Sequence, residues 1–476
     1  MAEPRIVVIG AGPAGLAVAL GLARRGRRVT LLERDAAQPT DDPASAYERW
    51  SRPSVPHSPL PHALLSRSRR ALRLNAPDVL ARLLAVGAWD NDLRPRFLSG
   101  VATPEDDDLV LVAVRRPVFE SALRAAVIAE PLVDLRPAMP AIGIELERSD
   151  RPRVTGVRVA GDIIPADVVI DASGRRTLTY RWLAEADVRM PATEKQDCGL
   201  IYFSQFWKVR EGREYPAWHG IVGPAATVDG VRYAVFLSDN GTFATVIGAL
   251  SDDRELKALA REDAYQRVLA LFPAVVPFVS RDVSRPTTPV LPFGALQNVF
   301  REPLLDGRPP VIGLHFVGDA YCHTNPAFAW GLCLGVDYGF ALAAIVDEHA
   351  QDAEAQALAY AARTRDEARA SFDAVAEEDR DRTARWHGSP LSGDWQGQTF
   401  AGFVRRTLLP LMPSDPTIAR GTLRRAMLLD RPDALMRDTT LVARVGQVQE
   451  RLAGRAAPAM PSRDDVVDAI GAAAPA

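Results

Sequence analysis

Residues 5–15 read Arg-Ile-Val-Val-Ile-Gly-Ala-Gly-Pro-Ala-Gly, and what precedes and follows them decides the fold. Arg5 to Ile9 is a β-branched run that reads as a strand, Gly10 to Gly15 is a tight turn, and Ala14 to Arg25 is an alanine- and leucine-rich helix. Arg28 to Leu32 reads as a second strand, which completes one βαβ unit. In that context a GxGxxG run is a dinucleotide fingerprint. Gly10 permits the turn, Gly12 lets a pyrophosphate reach the backbone, and Gly15 lets helix and strand pack closely. The helix start, with Pro13 and Ala14, offers free amides and partial positive charge to phosphates. Glu33 follows Gly15 by 18 residues and ends the second strand, where a carboxylate can accept from both ribose hydroxyls and repels a 2′-phosphate. The plainer alternative is a glycine-rich turn followed by an incidental surface glutamate.

A second constellation lies 300 residues on. Val311 to Val317 reads as a strand running into Gly318-Asp319, followed by Asn325-Pro326 and by Gly331, Gly335 and Gly339 at four-residue spacing. A strand ending in Gly-Asp puts a carboxylate at the edge of the sheet where ligands of open α/β folds bind. The helix from about Ala329 offers amides to a bound ring and a glycine face for close backbone approach. A core helix packed through small residues explains the glycines equally well, but not Asp319.

Length and composition set the outer limits. With 476 residues, 47% apolar and 25% charged, the chain has room for two or three packed units. Its 57 Lys+Arg against 60 Asp+Glu leave a net charge of -3, so no positive field points to nucleic acid or an anionic membrane. Three cysteines without CxxC spacing indicate neither a disulfide framework nor a zinc site. The apolar run from Ile6 to Ala23 is broken by glycines and lacks a basic leader, and Ala329 to Val346 carries Asp337, so the chain reads as soluble and cytoplasmic. Lysine occurs only at Lys195, Lys208 and Lys257.

Between the two constellations, residues 39 to 62 form a loop or lid rich in proline, serine and histidine. Ala63 to Val86 and Val118 to Ile128 are helical, and short strands fall at Leu109–Val114, Ala141–Glu147, Val154–Val159 and Val168–Ile170. From about 190 to 290 the chain turns aromatic and β-branched. Asn240-Gly241 suits a hairpin between Tyr233–Leu237 and Thr242–Ile247, with a helix around Arg254 to Leu271. Beyond Asp347 the sequence is helical and charged, with proline breaks; Arg363 to Arg385 reads as a solvated helix, and this region is expected to pack against the dinucleotide unit.

Taken in order, GAGPAG with Glu33-Arg34-Asp35, Arg116-Pro117-Val118-Phe119-Glu120, DASGRRT from Asp171, and VGDA…NP…G resemble the FAD-dependent monooxygenases of the aromatic-hydroxylase type, over roughly residues 5 to 345. Arg52-Pro53-Ser54-Val55-Pro56-His57 and Pro61-His62-Ala63-Leu64-Leu65 look most like the epoxidase-related branch. The resemblance implies an α/β protein with a three-layer FAD-binding Rossmann-type domain (1–185 and 290–350), an inserted antiparallel-sheet substrate domain (186–289) and a C-terminal helical region (351–476). It places Gly10, Gly12, Pro13, Ala14 and Gly15 at the pyrophosphate, Glu33 and Arg34 at the adenosine ribose, and Arg116 at the pyrophosphate or ribityl region. Asp319 would hold the ribityl chain, and Pro326, Gly331 and Leu332 the isoalloxazine.

The implied chemistry is that of secondary metabolism. Reduced FAD meets O₂, and the C4a-hydroperoxide delivers one oxygen atom to an apolar or aromatic small molecule. NAD(P)H is the reductant, directly or through a separate flavin reductase. The family usually carries Ala-Asp-Gly where this chain has Ala172-Ser173-Gly174, which argues against direct reduction. Halogenases of the family place a lysine near residue 100 and carry WxWxIP, and neither occurs here. A saturase or dehydrogenase, or a non-catalytic FAD-fold protein, are the alternatives.

No catalytic side chain is assigned. The histidines show no metal-ligand spacing, Ser173 and Ser204 lack a GxSxG elbow, and His323 and Trp330 are the residues expected to flank flavin and substrate. Tyr202, Phe203, Phe206, Trp207 and Phe236 would roof an apolar cavity or serve as core.

Overall fold

Ile6–Ile9 is buried at every position, as expected of a strand covered on both faces, and it forms the centre of a five-stranded parallel sheet. In the computed structural model, which describes residues 3–39, 42–147, 149–389, 400–452 and 460–471, the strand order is Leu314–Phe316, Val168–Asp171, Ile6–Ile9, Val29–Leu32, Val133–Arg136. The register pairs Ile9 with Leu32 on one side and Asp171 on the other, and Asp171 with Phe316. The Gly10 turn, Glu33, Ala172-Ser173 and Gly318-Asp319 therefore emerge together at one sheet edge.

Helices Pro13–Ala23, Arg116–Ala129 and Trp330–Glu348 lie on one face of the sheet. An antiparallel meander, Gly143–Glu147, Arg153–Val159 and Asp162–Pro165, covers the other, packing Ile144, Val157 and Ile164 against Val7, Ile9 and Val169. This is the three-layer arrangement expected from the sequence. One strand went unread in the sequence, and one reading needs correction. Val133–Arg136 is the fifth strand, which its half-exposed, alternating sequence did not announce. Ala63 to Val86 is not one helix but two, Ser66–Asn75 and Pro77–Ala85, because Ala76 leaves helical geometry ahead of Pro77.

Six antiparallel strands make the second sheet: Ala225–Val228, Val231–Leu237, Thr242–Leu250, Leu200–Val209, Ser284–Pro286, and Leu291–Phe293, which also pairs with Leu200–Val209. Its hairpin turns at Asn240 and Gly241 with φ of +52° and +63°, the left-handed pair that the Asn-Gly dipeptide supplies cheaply. Tyr265, Val268 and Phe272, from Glu262–Leu269 and the turn after it, close the core of this unit against Phe203, Trp207 and Phe243. The chain enters and leaves through Thr193–Asp197 and Gln297–Arg301, paired antiparallel.

Ala353–Trp386 spans 34 residues and starts at Asp352, whose carboxylate accepts from the Glu354 and Ala355 amides. It is not a solvated charged rod, since Asp379 and Arg382 are fully buried. Tyr360, Ala368 and Phe372 join the core of the dinucleotide unit, as expected, but Arg463–Gly471 packs instead on the antiparallel unit through Val466 and Ile470.

Trp330–Glu348 is apolar and long enough to cross a membrane by composition, but most of it is buried inside the protein, against Pro13–Ala23. A Cβ on Gly339 would stand 2.9 Å from the Ala14 carbonyl oxygen and 3.0 Å from the Ala17 Cβ, and one on Gly335 would stand 3.4 Å from the Ala14 Cβ. The small-residue explanation thus holds for Gly335 and Gly339. We expect Gly339→Val to cost about 3 kcal/mol through overpacking against backbone, read as a lower urea midpoint at unchanged slope.

Candidate active site

Gly10 has φ +101°, and a Cβ there would meet the Ala172 carbonyl oxygen at 2.6 Å. A Cβ on Gly15 would lie 1.9 Å from the Gly10 oxygen, so strand, turn and helix touch backbone to backbone. Gly12 differs, because a Cβ there meets nothing within 4 Å. Its missing side chain faces open space, and the helix behind it begins with no side-chain cap on its first amides.

That space belongs to a cavity of about 240 Å³ along the carboxyl edge of the parallel sheet. Gly10, Gly12, Pro13, Ala14, Glu33, Arg34, Arg116, Asp319, Pro326, Gly331 and Leu332 all line it. Of the twelve residues expected at a cofactor, only Gly15 does not, being packed beneath Gly10. Asp319 is about a quarter exposed and reaches within 3.9 Å of His323 Nε2. Arg34 sits at the rim and donates to the Ser54 carbonyl at 3.0 Å. The walls fit an extended dinucleotide: an open backbone cradle and free helix amides at one end, and a carboxylate and a glycine-started helix at the other.

Glu33 is less free than its sequence position suggests. Arg52 Nη2 donates to its Oε2 at 2.7 Å, and the amides of Ala11 and Asp35 also donate to it. The same guanidinium donates to Asp35 at 3.0 Å and to Glu120, so one buried arginine from the proline loop holds three carboxylates. Burial works against the Asp35 charge, but Ser54 and Arg52 hold its pKa below the ordinary value. Trp50 lies between Arg52 and the fully buried Arg124, which donates to Gln38. The loop is thereby fastened to the strand edge. Arg52 was quoted in the sequence only as part of a motif, and nothing local marks it as a counter-ion.

Arg116 starts its helix, donates to Glu120 at 3.3 Å and offers Nη1 to His62 Nε2 at 3.1 Å. His62 Nδ1 lies 2.8 Å from the Leu60 carbonyl oxygen. One ring nitrogen must donate and the other must accept, which assigns the neutral Nδ1–H tautomer. Burial and Arg116 agree, pushing the His62 pKa down to about 3, and burial likewise drives His57 far below its ordinary value.

His57, His62 and His323 converge, a grouping that sequence spacing concealed. Together with Pro61, Arg175, Phe236 and Pro326 they form the wall between the first cavity and a second chamber of about 100 Å³ under the antiparallel sheet. Tyr202 and Phe236 line that chamber, whereas Phe203 and Trp207 belong to the core on the sheet's far side and Phe206 packs on Tyr47. Trp330 is also buried, its indole donating to the Ala426 carbonyl, so it does not reach the chamber. The Tyr202 hydroxyl donates to Asn325 at 2.8 Å, and Asn325 donates to the buried Asp379 at 2.8 Å. Asp171 fixes the Ser173 loop, accepting from the Ser173 amide and hydroxyl and from Thr177.

Residues 5–116 match the family model described as FAD dependent oxidoreductase. Protein Rv3254 of Mycobacterium tuberculosis (strain ATCC 25618 / H37Rv) is 25% identical over 354 residues, 69% of this chain and 70% of that protein. Among solved structures, the flavin-dependent brominase Bmp2 superposes with a TM-score of 0.61 at 14% identity, covering 94% of this chain and 99% of its own. PqsL, a probable FAD-dependent monooxygenase from Pseudomonas aeruginosa, gives 0.56 at 15% identity, covering 81% of this chain and all of its own. At such identities the likeness establishes the shared fold.

Two outcomes test the site. Gly12→Val adds a side chain to empty space, so the protein should melt within about 1 kcal/mol of wild type yet lose flavin absorbance after FAD incubation and gel filtration. For His62, the folded pKa lies below the ordinary 6.5, so the unfolded chain binds the extra proton between about pH 6.5 and 3. Stability therefore falls as pH drops through that window, and His62→Gln should show a shallower decline in urea midpoint.

Proposed function

We propose that the chain is a flavin-dependent monooxygenase that inserts one oxygen atom from O₂ into a small organic molecule by hydroxylation or epoxidation. The observation carrying this reading is the second chamber, separated from the dinucleotide cavity only by shared side chains. FAD, when bound, supplies the redox and oxygen chemistry. The chain would hold its pyrophosphate at Gly10, Gly12, Pro13 and Ala14, its adenosine ribose at Glu33 and Arg34, its central region at Arg116 and Asp319, and its ring beside Pro326, Gly331 and Leu332.

The remaining side chains orient and seal. Phe236, Pro61 and Pro326 exclude water from the shared wall, which an oxygen-activating site requires. Neutral His62, held between the Leu60 carbonyl and Arg116, acts there as a fixed hydrogen-bonding group, and Asn325 orients the Tyr202 hydroxyl. None of the three lysines lines either cavity, which supports oxygen insertion over halogenation despite the brominase fold. Ser173, with its hydroxyl committed to Asp171, keeps a separate reductase beside NADH or NADPH as the electron source. The epoxidase-like loop and a cytoplasmic location belong to the same proposal.

Purified protein should be yellow, and oxygen uptake should match product one to one in the presence of substrate and reductant. Equal product yield under anaerobic conditions would make it a dehydrogenase instead, and a colourless protein that refuses FAD would make it a non-catalytic relative. Bleaching on NAD(P)H addition without a second protein would assign the reductant.

A further inference from the structure

A third pocket, of about 30 Å³, lies beside Leu314–Phe316, the edge strand of the parallel sheet. It shares no lining residue with the dinucleotide cavity or with the chamber. Its ligand is therefore neither the cofactor nor the substrate.

Arg301 ends the strand Gln297–Arg301 and is drawn inward by the pairing of that strand with Thr193–Asp197 and by the Tyr321 carbonyl, which accepts from its amide. It is only 7% exposed. Its Nη1 donates to the Ala320 and Asp319 carbonyl oxygens at 3.0 and 3.3 Å, and its guanidinium stands 5.2 Å from the centre of the Tyr180 ring. Dipoles and a ring do not cancel a full charge. Among the described residues no carboxylate lies within ion-pair distance of Arg301, and its Nε is buried without a hydrogen-bond partner. Burial pushes its pKa down, and Tyr180, Asp171 and Asp319 offset this only in part.

Tyr360, from Ala353–Trp386, brings a second donor to the same pocket: it is 3% exposed, and its hydroxyl is also buried without a partner. The neighbouring polar side chains are committed elsewhere. Glu302 pairs with Arg365 at 2.7 Å, and His315 Nε2 meets Gln356 Oε1 at 3.1 Å. Burial drives the His315 pKa down to about 4, so that ring is neutral and adds no second cation. Pro303, Pro309 and Pro310 supply wall without amide donors.

Size and charge together define the ligand. The space holds about two waters, which is room for a monatomic ion but not for an organic acid or a nucleotide phosphate. Water would satisfy the two donors and leave the charge uncompensated, whereas an anion does both. Guanidinium is weakly hydrated, and the anion that suits it also leaves water cheaply, as chloride and bromide do.

We propose that this pocket is a halide site, in which chloride or bromide accepts from Arg301 Nε and from the Tyr360 hydroxyl, and that its occupancy tightens the binding of FAD. The halide is an effector and not a reactant, because its pocket has no wall in common with either cavity. The coupling runs through one side chain: an anion on Nε fixes the guanidinium whose Nη1 holds the Asp319 and Ala320 carbonyls, and Asp319 lines the dinucleotide cavity. That coupling rests on FAD occupying the cavity, but halide binding does not.

Crystals of the full-length protein soaked in sodium bromide should show an anomalous scatterer within hydrogen-bonding reach of Arg301 Nε and Tyr360 Oη. In solution, FAD should bind about fivefold more tightly in bromide or chloride than in gluconate at equal ionic strength, gluconate being too large for the pocket. Tyr360→Phe removes only the hydroxyl. It should raise the bromide concentration at half effect about fivefold, leave FAD affinity in gluconate within about twofold, and melt no lower than wild type, since that hydroxyl has no partner to lose. Arg301→Met should abolish both the scatterer and the bromide effect. Water alone in the pocket, bromide confined to the protein surface, or a bromide effect that survives in Arg301→Met would each overturn the site. Bromide at Arg301 with equal FAD affinity in the two salts defeats the coupling alone, and bromide at Arg301 in a protein that takes no FAD defeats the flavin reading alone.

Discussion

Ala14 is the point on which the molecule closes. A Cβ on Gly318 would lie 2.8 Å from the Ala14 Cβ, one on Gly335 3.4 Å from the same atom, and one on Gly339 2.9 Å from the Ala14 oxygen. Three glycines from the far end of the fold thus crowd one small residue in the first turn of the first helix. Any larger side chain at these positions would push the helix start away from the Gly318-Asp319 edge. The uncapped amides of that helix and the Asp319 carboxylate border one cavity because backbone lies against backbone or a single methyl there, without larger side chains as spacers.

Charge is handled by a second device. The proline loop carries no regular sheet or long helix, yet it is held by Arg52, whose guanidinium meets Glu33, Asp35 and Glu120 in a nearly dry setting. Such a cluster adds little net stability over an apolar core, but each member enforces the position of the others. Its effect is geometric: it fastens the loop beside the dinucleotide cavity, and the following residues then bring His57 and His62 into the wall between the two cavities. The buried chain Tyr202–Asn325–Asp379–Arg382 does the same from the C-terminal side, tying a charged helix to the chamber floor.

The legible parts of this protein were the local ones. Gly10, Gly12 and Gly15 take the places their spacing implies, because a tight turn between strand and helix imposes conformational demands within six residues. Asn240-Gly241 turned the hairpin for the same reason. The aromatic run from Tyr202 to Trp207 was harder to apportion. Its alternation gives two faces, but only the register with Thr242–Leu250 and Leu291–Phe293 says that Tyr202 lines a chamber while Phe203 and Trp207 fill a core.

The amino-acid sequence by itself determined the dinucleotide-binding βαβ unit, the second glycine segment, the antiparallel insertion and the class of cofactor, since each is written in short-range periodicity, turn residues or motif order. Tertiary structure alone decided which buried charges are paired. Arg52 finds its three carboxylates at separations of 19, 17 and 68 residues, and Asp379 meets Asn325 across 54. Electrostatic partnership depends on distance in space and on exclusion of water, and neither quantity exists until the chain has folded.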